Sequence, residues 1–129
     1  MSSLVSEWMV IDAMRDAADP SAKGYKLDGL VTSGAAFFVV KKDSQLHAYV
    51  NQCPHVGAPL EWIPDQFLDA DAQFIQCAVH GAAFVIDDGA CAGGPCNGIG
   101  LTALPLLQEG DDVKVDVTTV RELLAPPAI

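Results

Sequence analysis

The chain has 129 residues, a formal net charge of −10 and an apolar content of 50%. This length is typical of a single domain, and the apolar content excludes wholesale disorder. Because only 7 Lys and Arg residues oppose 17 Asp and Glu residues, a nucleic-acid-binding surface and docking on anionic lipid are both disfavoured. A protein partner with a basic patch is the expected complement of such an acidic chain.

Neither a membrane span nor a secretory signal is predicted. The longest purely apolar run, residues 35–40, is far shorter than the ~20 residues that span a bilayer. Residues 1–7 contain no basic region ahead of an apolar stretch, as a secretory signal would require. The expected compartment is therefore a reducing cytoplasm, where cysteines are metal ligands or free thiols more often than disulfides.

In the first half of the chain, the pattern predicts one short helix and one hairpin. Residues 11–18 are typical of a short helix, which Pro20 and Gly24 follow as breakers. Residues 35–40 and 45–50 are rich in apolar, β-branched and aromatic side chains, and turn-forming residues separate them. These two runs predict the strands of an antiparallel hairpin.

The second half predicts further strands and a C-terminal helix. Residues 74–75 and 82–86 are short strand-like runs, and residues 87–89 form an Asp-Asp-Gly turn after the second run. Residues 113–117 alternate valine with charged residues, which predicts a half-exposed strand. A Thr-Val-Arg-Glu capping box predicts a short helix over residues 119–124. Many short strands with Gly and Pro turns predict an all-β sandwich or barrel.

Cysteine and histidine occur twice as a closely spaced pair followed by glycine. The first Cys-His loop (residues 53–57) reads Cys-Pro-His-Val-Gly, and the second Cys-His loop (residues 77–81) reads Cys-Ala-Val-His-Gly. Each loop offers one thiolate and one imidazole beside predicted strands, so the two loops could converge on one metal centre. Glycine permits tight turns and positive φ, and it lets backbone N–H groups approach the sulfur atoms of a cluster.

These two loops resemble those of Rieske-type [2Fe–2S] proteins, close to the small soluble Rieske ferredoxins of oxygenase systems. The similarity extends over about residues 37–117 and includes four flanking segments: Asn51-Gln52, Ala58-Pro59-Leu60, Ala83-Phe84 and the proline-bearing Gly93-Gly94-Pro95. It implies an all-β, Rieske-like antiparallel β-sandwich forming one domain over residues 1–129. A small loop-built cluster-binding subdomain is expected at about residues 51–97.

The resemblance also implies the cofactor and its ligands. One [2Fe–2S] cluster per chain is expected, with Cys53 and Cys77 on the inner iron and with His55 and His80 on the outer iron. Electrons are then expected to pass through the imidazoles near the surface. Three loop residues are implied to surround the ligands: Gly57, Gly81 and Pro95.

The ligands and their surroundings predict a reduction potential in the lower part of the Rieske window, which is about −150 to +300 mV. Histidine ligation leaves the oxidised centre neutral and so raises its potential above that of four-thiolate ferredoxins. Rieske proteins of high potential add a disulfide between the loops and two hydroxyl donors to cluster sulfur. The matching positions here lack those groups, and they are Ala58, Val79, Ala82 and Phe84.

The spacer between the two loops, residues 56–76, is longer than is common in small Rieske ferredoxins. Its large apolar residues Trp62, Ile63 and Phe67 are expected to pack as a satellite cluster under the loop. A docking surface is the less favoured alternative.

Two further cysteines and one histidine lie outside the ligand pattern. Cys91 and Cys96 are expected to be free thiols rather than a local disulfide. His47 is expected to be an ordinary strand histidine. Several aspartates are expected to form turns and solvated surface that could also steer a basic partner: Asp65, Asp69, Asp71, Asp87, Asp88, Asp111 and Asp112.

The implied function is that of a one-electron carrier between a flavin reductase and a terminal oxygenase or similar enzyme. No Gly-x-Gly-x-x-Gly motif indicates a dinucleotide fold. A mononuclear iron site is also not predicted, because His47 is the only histidine outside the two loops. The chain is therefore expected to be a redox module rather than a stand-alone catalyst. Two alternatives stay open: a Rieske-like small subunit of a nitrite-reductase-type complex and, more remotely, a structural Cys2His2 zinc module.

Overall fold

The computed structural model describes residues 7–11, 14–27, 35–52, 60, 65–77, 81–93, 99–109 and 112–124. These ranges contain short strands and one short helix. The strands are β1 (Trp8–Val10), β2 (Ser21–Tyr25), β3 (Phe37–Lys42), β4 (Gln45–Val50), β5 (Phe74–Gln76), β6 (Ala83–Val85), β7 (Cys91–Gly93), β8 (Ala103–Leu104), β9 (Leu106–Glu109) and β10 (Asp112–Asp116), and the helix is α1 (Thr118–Leu124).

The strands form three antiparallel sheets. The first has the order β1-β10-β9, the second β2-β3-β4-β8 and the third β5-β6-β7. One buried cluster joins side chains of the first and second sheets, and another joins the second and third sheets. The β2-β3-β4-β8 sheet therefore lies between the other two, and the predicted all-β antiparallel fold is confirmed.

Strand β3 shows why the chain contains an unbroken apolar run. Phe38 and Val40 face the cluster shared with the third sheet, whereas Phe37 and Val39 face the cluster shared with the first sheet. All four side chains have no exposed surface. A strand that is buried on both faces requires apolar residues at consecutive positions rather than at alternate ones.

Tight turns connect β3 to β4 and β6 to β7, as predicted. Asp43 and Ser44 both have positive φ, at 52° and 66°, and their N–H groups donate to the two carboxylate oxygens of Asp19 at 3.0 and 2.6 Å. Gly89 has φ of 74°, and a Cβ there would lie 2.7 Å from the Tyr49 ring. Glycine is therefore required at this turn both for its backbone conformation and for the close approach of Tyr49.

The predicted first helix is wrong for the described part of its segment. Met14 N donates to Ile11 O, and Ala17 N donates to Met14 O; both bonds span three residues, which is 3₁₀ rather than α-helical spacing. The carbonyls of Arg15 and Ala17 instead accept hydrogen bonds from Lys41 Nζ at 2.7 and 3.1 Å. In a continuing α-helix these two carbonyls would accept backbone N–H groups of the next turn, but here they accept hydrogen bonds from Lys41.

The C-terminal helix is confirmed, but its predicted cap is wrong. The helix begins at Thr118, and Asp116 Oδ1 accepts the Thr118 N–H at 3.0 Å. Thr119, the expected cap, lies inside the helix. The Asp116 side chain, two residues ahead of the helix, instead accepts the N–H of the first helical residue. Within the described ranges, no helix has the length and hydropathy needed to cross a lipid bilayer.

Candidate metal centre

The second Cys-His loop connects β5 to β6 and is closed by its own backbone. Cys77 N donates to Ala82 O at 2.8 Å, and Gly81 N donates to Cys77 O at 2.9 Å. The Cys77 side chain has no exposed surface and is not part of a disulfide. The structure therefore presents one buried, free sulfur at the start of a tightly closed loop, which is the donor type that an iron–sulfur cluster requires.

Gly81 shows what the glycine of this loop contributes. Its φ is 74°, a left-handed conformation that costs other residues about 1–2 kcal/mol. A Cβ at this position would meet nothing within 4 Å. Glycine is thus needed for the backbone turn rather than for space, and the predicted positive φ is confirmed at this position.

The residues that flank the first Cys-His loop are held in the core. Asn51 is 2% exposed and Leu60 is fully buried. Asn51 Oδ1 accepts the N–H of Leu60 at 2.8 Å, while Asn51 Nδ2 donates to Ala35 O at 2.8 Å. Sequence reasoning quoted Asn51 only as part of a matching flank. A polar residue directly after an apolar strand and two residues before Cys53 was the available signal.

Buried contacts bring the surroundings of the two loops together. Leu60 belongs to the same core cluster as Cys77, Ala82 and Phe84. The end of the segment that carries the first loop therefore packs in the cluster that contains the start of the second loop.

Only part of the predicted site falls within the described residues. Cys77 and Gly81 are placed, and no group of three or more metal-binding side chains occurs among the described residues. The remaining predicted site residues lie outside the described ranges: Cys53, His55, Gly57, His80 and Pro95.

Two of the four positions that were compared with Rieske proteins of high potential, Ala82 and Phe84, follow the second loop. Ala82 and Phe84 have no exposed surface. Ala58 and Val79, the other two positions of that prediction, lie outside the described residues. Near these residues, Tyr49 donates its hydroxyl proton to Ile86 O at 2.5 Å. Burial, with the Asp88 and Asp87 carboxylates as smaller causes, raises the pKa of Tyr49 to about 12.

Phe67, a residue of the spacer, packs in the core, as the sequence analysis predicts. It is fully buried, and its ring stacks on Phe38 with centroids 4.3 Å apart and planes 9° apart. It belongs to the main core rather than to a separate satellite cluster. Trp62 and Ile63 lie outside the described residues.

The cysteine outside the ligand pattern departs from expectation. Cys91 is disulfide-bonded, so the free-thiol prediction is wrong for this residue, and Cys96 lies outside the described residues. The prediction relied on the redox state of the compartment. Cys91 is partly exposed and lies on β7, an edge strand of its sheet.

His47 and several aspartates behave as structural residues. His47 lies on β4, with Nε2 3.8 Å from Asp87 Oδ1. Asp69 Oδ1 accepts the N–H groups of Gln73 and Phe74 at 2.8 and 3.2 Å. Asp88 Oδ1 accepts the N–H of Ala90 at 2.9 Å. The expected turn-forming role is confirmed for Asp69 and Asp88.

Comparisons with solved structures identify the same fold in proteins of oxygenase systems. A chain in a complex of reduced oxygenase and oxidized ferredoxin of carbazole 1,9a-dioxygenase has a TM-score of 0.64 and 23% identity, covering 84% of this chain and 92% of that one. The Sphingomonas yanoikuyae B1 ferredoxin has a TM-score of 0.61 and 23% identity over 87% and 98%. The ferredoxin of carbazole 1,9a-dioxygenase from Nocardioides aromaticivorans IC177 has a TM-score of 0.57 and 22% identity over 77% and 86%.

Comparison with family models settles the classification. No curated protein matches the chain in sequence. The model of the Rieske [2Fe-2S] domain matches residues 7–115, a span that includes both Cys-His loops and strands of all three sheets. A [2Fe–2S] cluster is the cofactor that this domain implies, and the buried free sulfur of Cys77 fits it. The chain belongs to the Rieske [2Fe–2S] family.

Proposed function

We propose that this chain is a one-electron carrier whose [2Fe–2S] cluster is held by Cys53, His55, Cys77 and His80. It takes electrons from a flavin reductase and passes them to a terminal oxygenase or similar enzyme. The observation that carries this proposal is the Rieske domain match over residues 7–115, together with the closed loop that presents the buried Cys77 sulfur.

The described residues indicate how the protein supports such a cofactor. When bound, the cluster supplies one-electron redox chemistry. Buried Cys77 would hold its sulfur for the cluster out of contact with water, and the hydrogen bonds Cys77 N to Ala82 O and Gly81 N to Cys77 O would limit its movement. Gly57, Gly81 and Pro95 are proposed to shape the loops around the ligands, within a cluster-binding region at about residues 51–97.

The proposed partners follow from charge and from the similar proteins. The net charge of −10 favours association with a basic surface, because complementary potentials steer diffusional encounter. One structure with the same fold is a complex of an oxygenase with its ferredoxin. We extend that pairing to this chain, with a flavin reductase as the electron donor.

The ligand set is tested by substitution and spectroscopy. We expect Cys77→Ser and His80→Ala to lose the paramagnetic signal of the reduced Rieske cluster, because each removes a donor to iron. His47→Ala is the matched control, because it removes a histidine from outside the ligand set and should retain the signal. Wild-type protein that stays colourless after reconstitution and contains no acid-labile sulfide would contradict the proposal.

The carrier role is tested by stopped-flow kinetics with separate partner proteins. Reduced protein should be reoxidised by a Rieske-type terminal oxygenase, and the second-order rate should fall roughly tenfold or more from low to high salt as steering is screened. A salt-independent rate would argue against the basic docking surface. Failure to reduce any oxygenase, with tight co-purification with a sirohaem enzyme, would instead indicate the nitrite-reductase-type subunit.

A further inference from the structure

We propose that Asn51 is a positioning residue that closes the segment containing the first Cys-His loop and so sets the geometry of Cys53 and His55. This inference depends on the ligand set proposed above. It assigns to a non-ligand side chain the task that backbone hydrogen bonds perform in the second loop.

The side-chain amide of Asn51 bridges two backbone groups that are far apart in the sequence. Its Nδ2 donates to Ala35 O and its Oδ1 accepts from Leu60 N, both at 2.8 Å. Ala35 lies 16 residues before Asn51, and Leu60 lies 9 residues after it. The predicted ligands Cys53 and His55 both lie between Asn51 and Leu60, so the amide spans the base of their segment.

Both attachment points of this bridge are fixed. Asn51 is 2% exposed and Leu60 is fully buried. The backbone of Asn51 is also tied to the strand region, because its N–H donates to Ala36 O at 3.1 Å. A bridge between rigid points restricts the segment between them more than a bridge on a mobile surface would.

Among the described residues, the ends of the two loop segments are bound by different groups. Cys77 and Ala82 pair directly through Cys77 N and Ala82 O, so the backbone closes the second loop. The first segment is longer, and its end at Leu60 is bound through the Asn51 carboxamide. Because an amide has both a donor and an acceptor, Asn51 can serve the Ala35 carbonyl and the Leu60 N–H at once.

The expected consequence concerns the cluster more than the fold. Losing the bridge should release the backbone of Leu60 from Asn51 and leave the buried N–H of Leu60 without this acceptor. Iron should then be released faster to a chelator. The paramagnetic resonance spectrum should also shift or broaden, because it reports the geometry at the iron ligands.

The test compares Asn51→Ala with Asn51→Asp and with the control Tyr49→Phe. Asn51→Ala removes both bonds, whereas Asn51→Asp keeps the acceptor for Leu60 N–H. Tyr49→Phe deletes a different buried hydrogen bond in the same core, the one to Ile86 O. Iron release to excess chelator, the resonance spectrum and thermal stability are measured for reconstituted full-length proteins.

We expect Asn51→Ala to release iron about tenfold faster than wild type, Asn51→Asp to show a smaller increase, and Tyr49→Phe to keep the wild-type rate and spectrum. The inference is overturned if both Asn51 variants match wild type, or if Tyr49→Phe accelerates release as much as they do. If Asn51→Ala does not fold, Asn51→Asp against Tyr49→Phe decides by the same criteria. Wild-type protein that binds no cluster would instead be a failure of the proposed function.

Discussion

Ala82 and Phe84 follow the second Cys-His loop, and neither side chain has a hydroxyl group. Both are fully buried, whereas Ala83 between them is only partly buried because it points to the other face of β6. In the Rieske proteins of high potential that this chain resembles, the positions that match Ala82 and Phe84 carry hydroxyl groups. Fewer donors to cluster sulfur stabilise the reduced state less.

We therefore expect a potential in the lower part of the Rieske window and an increase on adding hydroxyl groups. Ala82→Ser and Phe84→Tyr should each raise the midpoint potential by about 20–60 mV, the equivalent of one hydrogen bond that is stronger in the reduced state. Redox titration measures the shift, with Ala83→Ser as the control of unchanged potential. A wild-type potential well above zero, or no shift in Ala82→Ser, would count against this explanation.

At the residue scale, the sequence predicts a conformation or role where only one residue type can provide it. The positive φ of Gly81 was predictable, because a tight loop at a cluster requires a residue without Cβ. The hydrogen-bond partners of Asn51 were not predictable, because Ala35 and Leu60 are distant in the sequence and contribute only backbone atoms. The bonding state of Cys91 was likewise beyond reach, since it depends on where a second sulfur lies.

At the scale of elements, helix α1 is attached to the strand β1 region by a paired ionic contact. Arg121 Nε donates to Glu7 Oε1 at 2.5 Å, and Arg121 Nη2 donates to Glu7 Oε2 at 2.9 Å. The hydrogen bond from Arg121 lowers the pKa of Glu7 below its ordinary value. Glu7 N also donates to Thr118 Oγ1 at 2.8 Å.

This ion pair predicts a pH-dependent contribution to stability. Because the pKa of Glu7 is lowered on folding, the contribution should be complete above pH 4.5 and should be lost as the pH falls through the lower, folded-state pKa. Glu7→Gln should therefore reduce the free energy of unfolding modestly at neutral pH, and the difference from wild type should vanish in acid.

Chemical denaturation at several pH values measures this difference. Asp16→Asn is the control, because Asp16 is 81% exposed and its Oδ2 lies 3.6 Å from Arg15 Nη2, an exposed contact that is expected to add little stability. An effect of Glu7→Gln that is independent of pH would argue against the ionic contact as its cause.

Elements with a regular pattern were predictable, and elements set by tertiary contacts were not. The alternation in β10 is confirmed, because Val113 and Val115 are buried while Lys114 is only partly covered. The hairpin of β3 and β4 follows from two apolar runs around a turn. The failed helix depends on Lys41, a residue of another strand that binds its carbonyls, and no local pattern shows such a contact.

At the scale of the molecule, the stack of Phe67 on Phe38 connects the spacer between the two Cys-His loops with the central sheet. Phe38 belongs to β3, and the carbonyl oxygen of Phe67 accepts a hydrogen bond from Gln76 N at 2.8 Å. Within the described part of the spacer, Phe67 therefore belongs to the core that supports β5.

Truncating this ring should destabilise the whole fold. We expect Phe67→Ala to lower the free energy of unfolding by about 3–5 kcal/mol, the range for a fully buried phenylalanine. Phe74→Ala is the matched control, since Phe74 is 38% exposed and should cost clearly less. Urea unfolding measures the free energy of unfolding of both variants, and equal losses would contradict the expected contribution of the Phe67–Phe38 stack.

The order of the three sheets was not predictable from patterns alone. Periodicity predicts which strands exist, whereas the pairing of β1 with β10, more than 100 positions later in the chain, requires contacts between the two ends of the sequence. The fold class and the cofactor were predictable because the two Cys-His loops resemble a known family, and the family match confirms both.

The double-sided burial of β3 has a consequence for how its hairpin finds the correct alignment. Sliding β3 by one residue against β4 would exchange one set of apolar side chains for another, so the hydrophobic effect alone barely penalises the slip. Discrimination must then come from the Asp43-Ser44 turn and the Asp19 carboxylate that binds its two N–H groups. Lengthening this connection by a single residue would threaten strand pairing more than many core substitutions would.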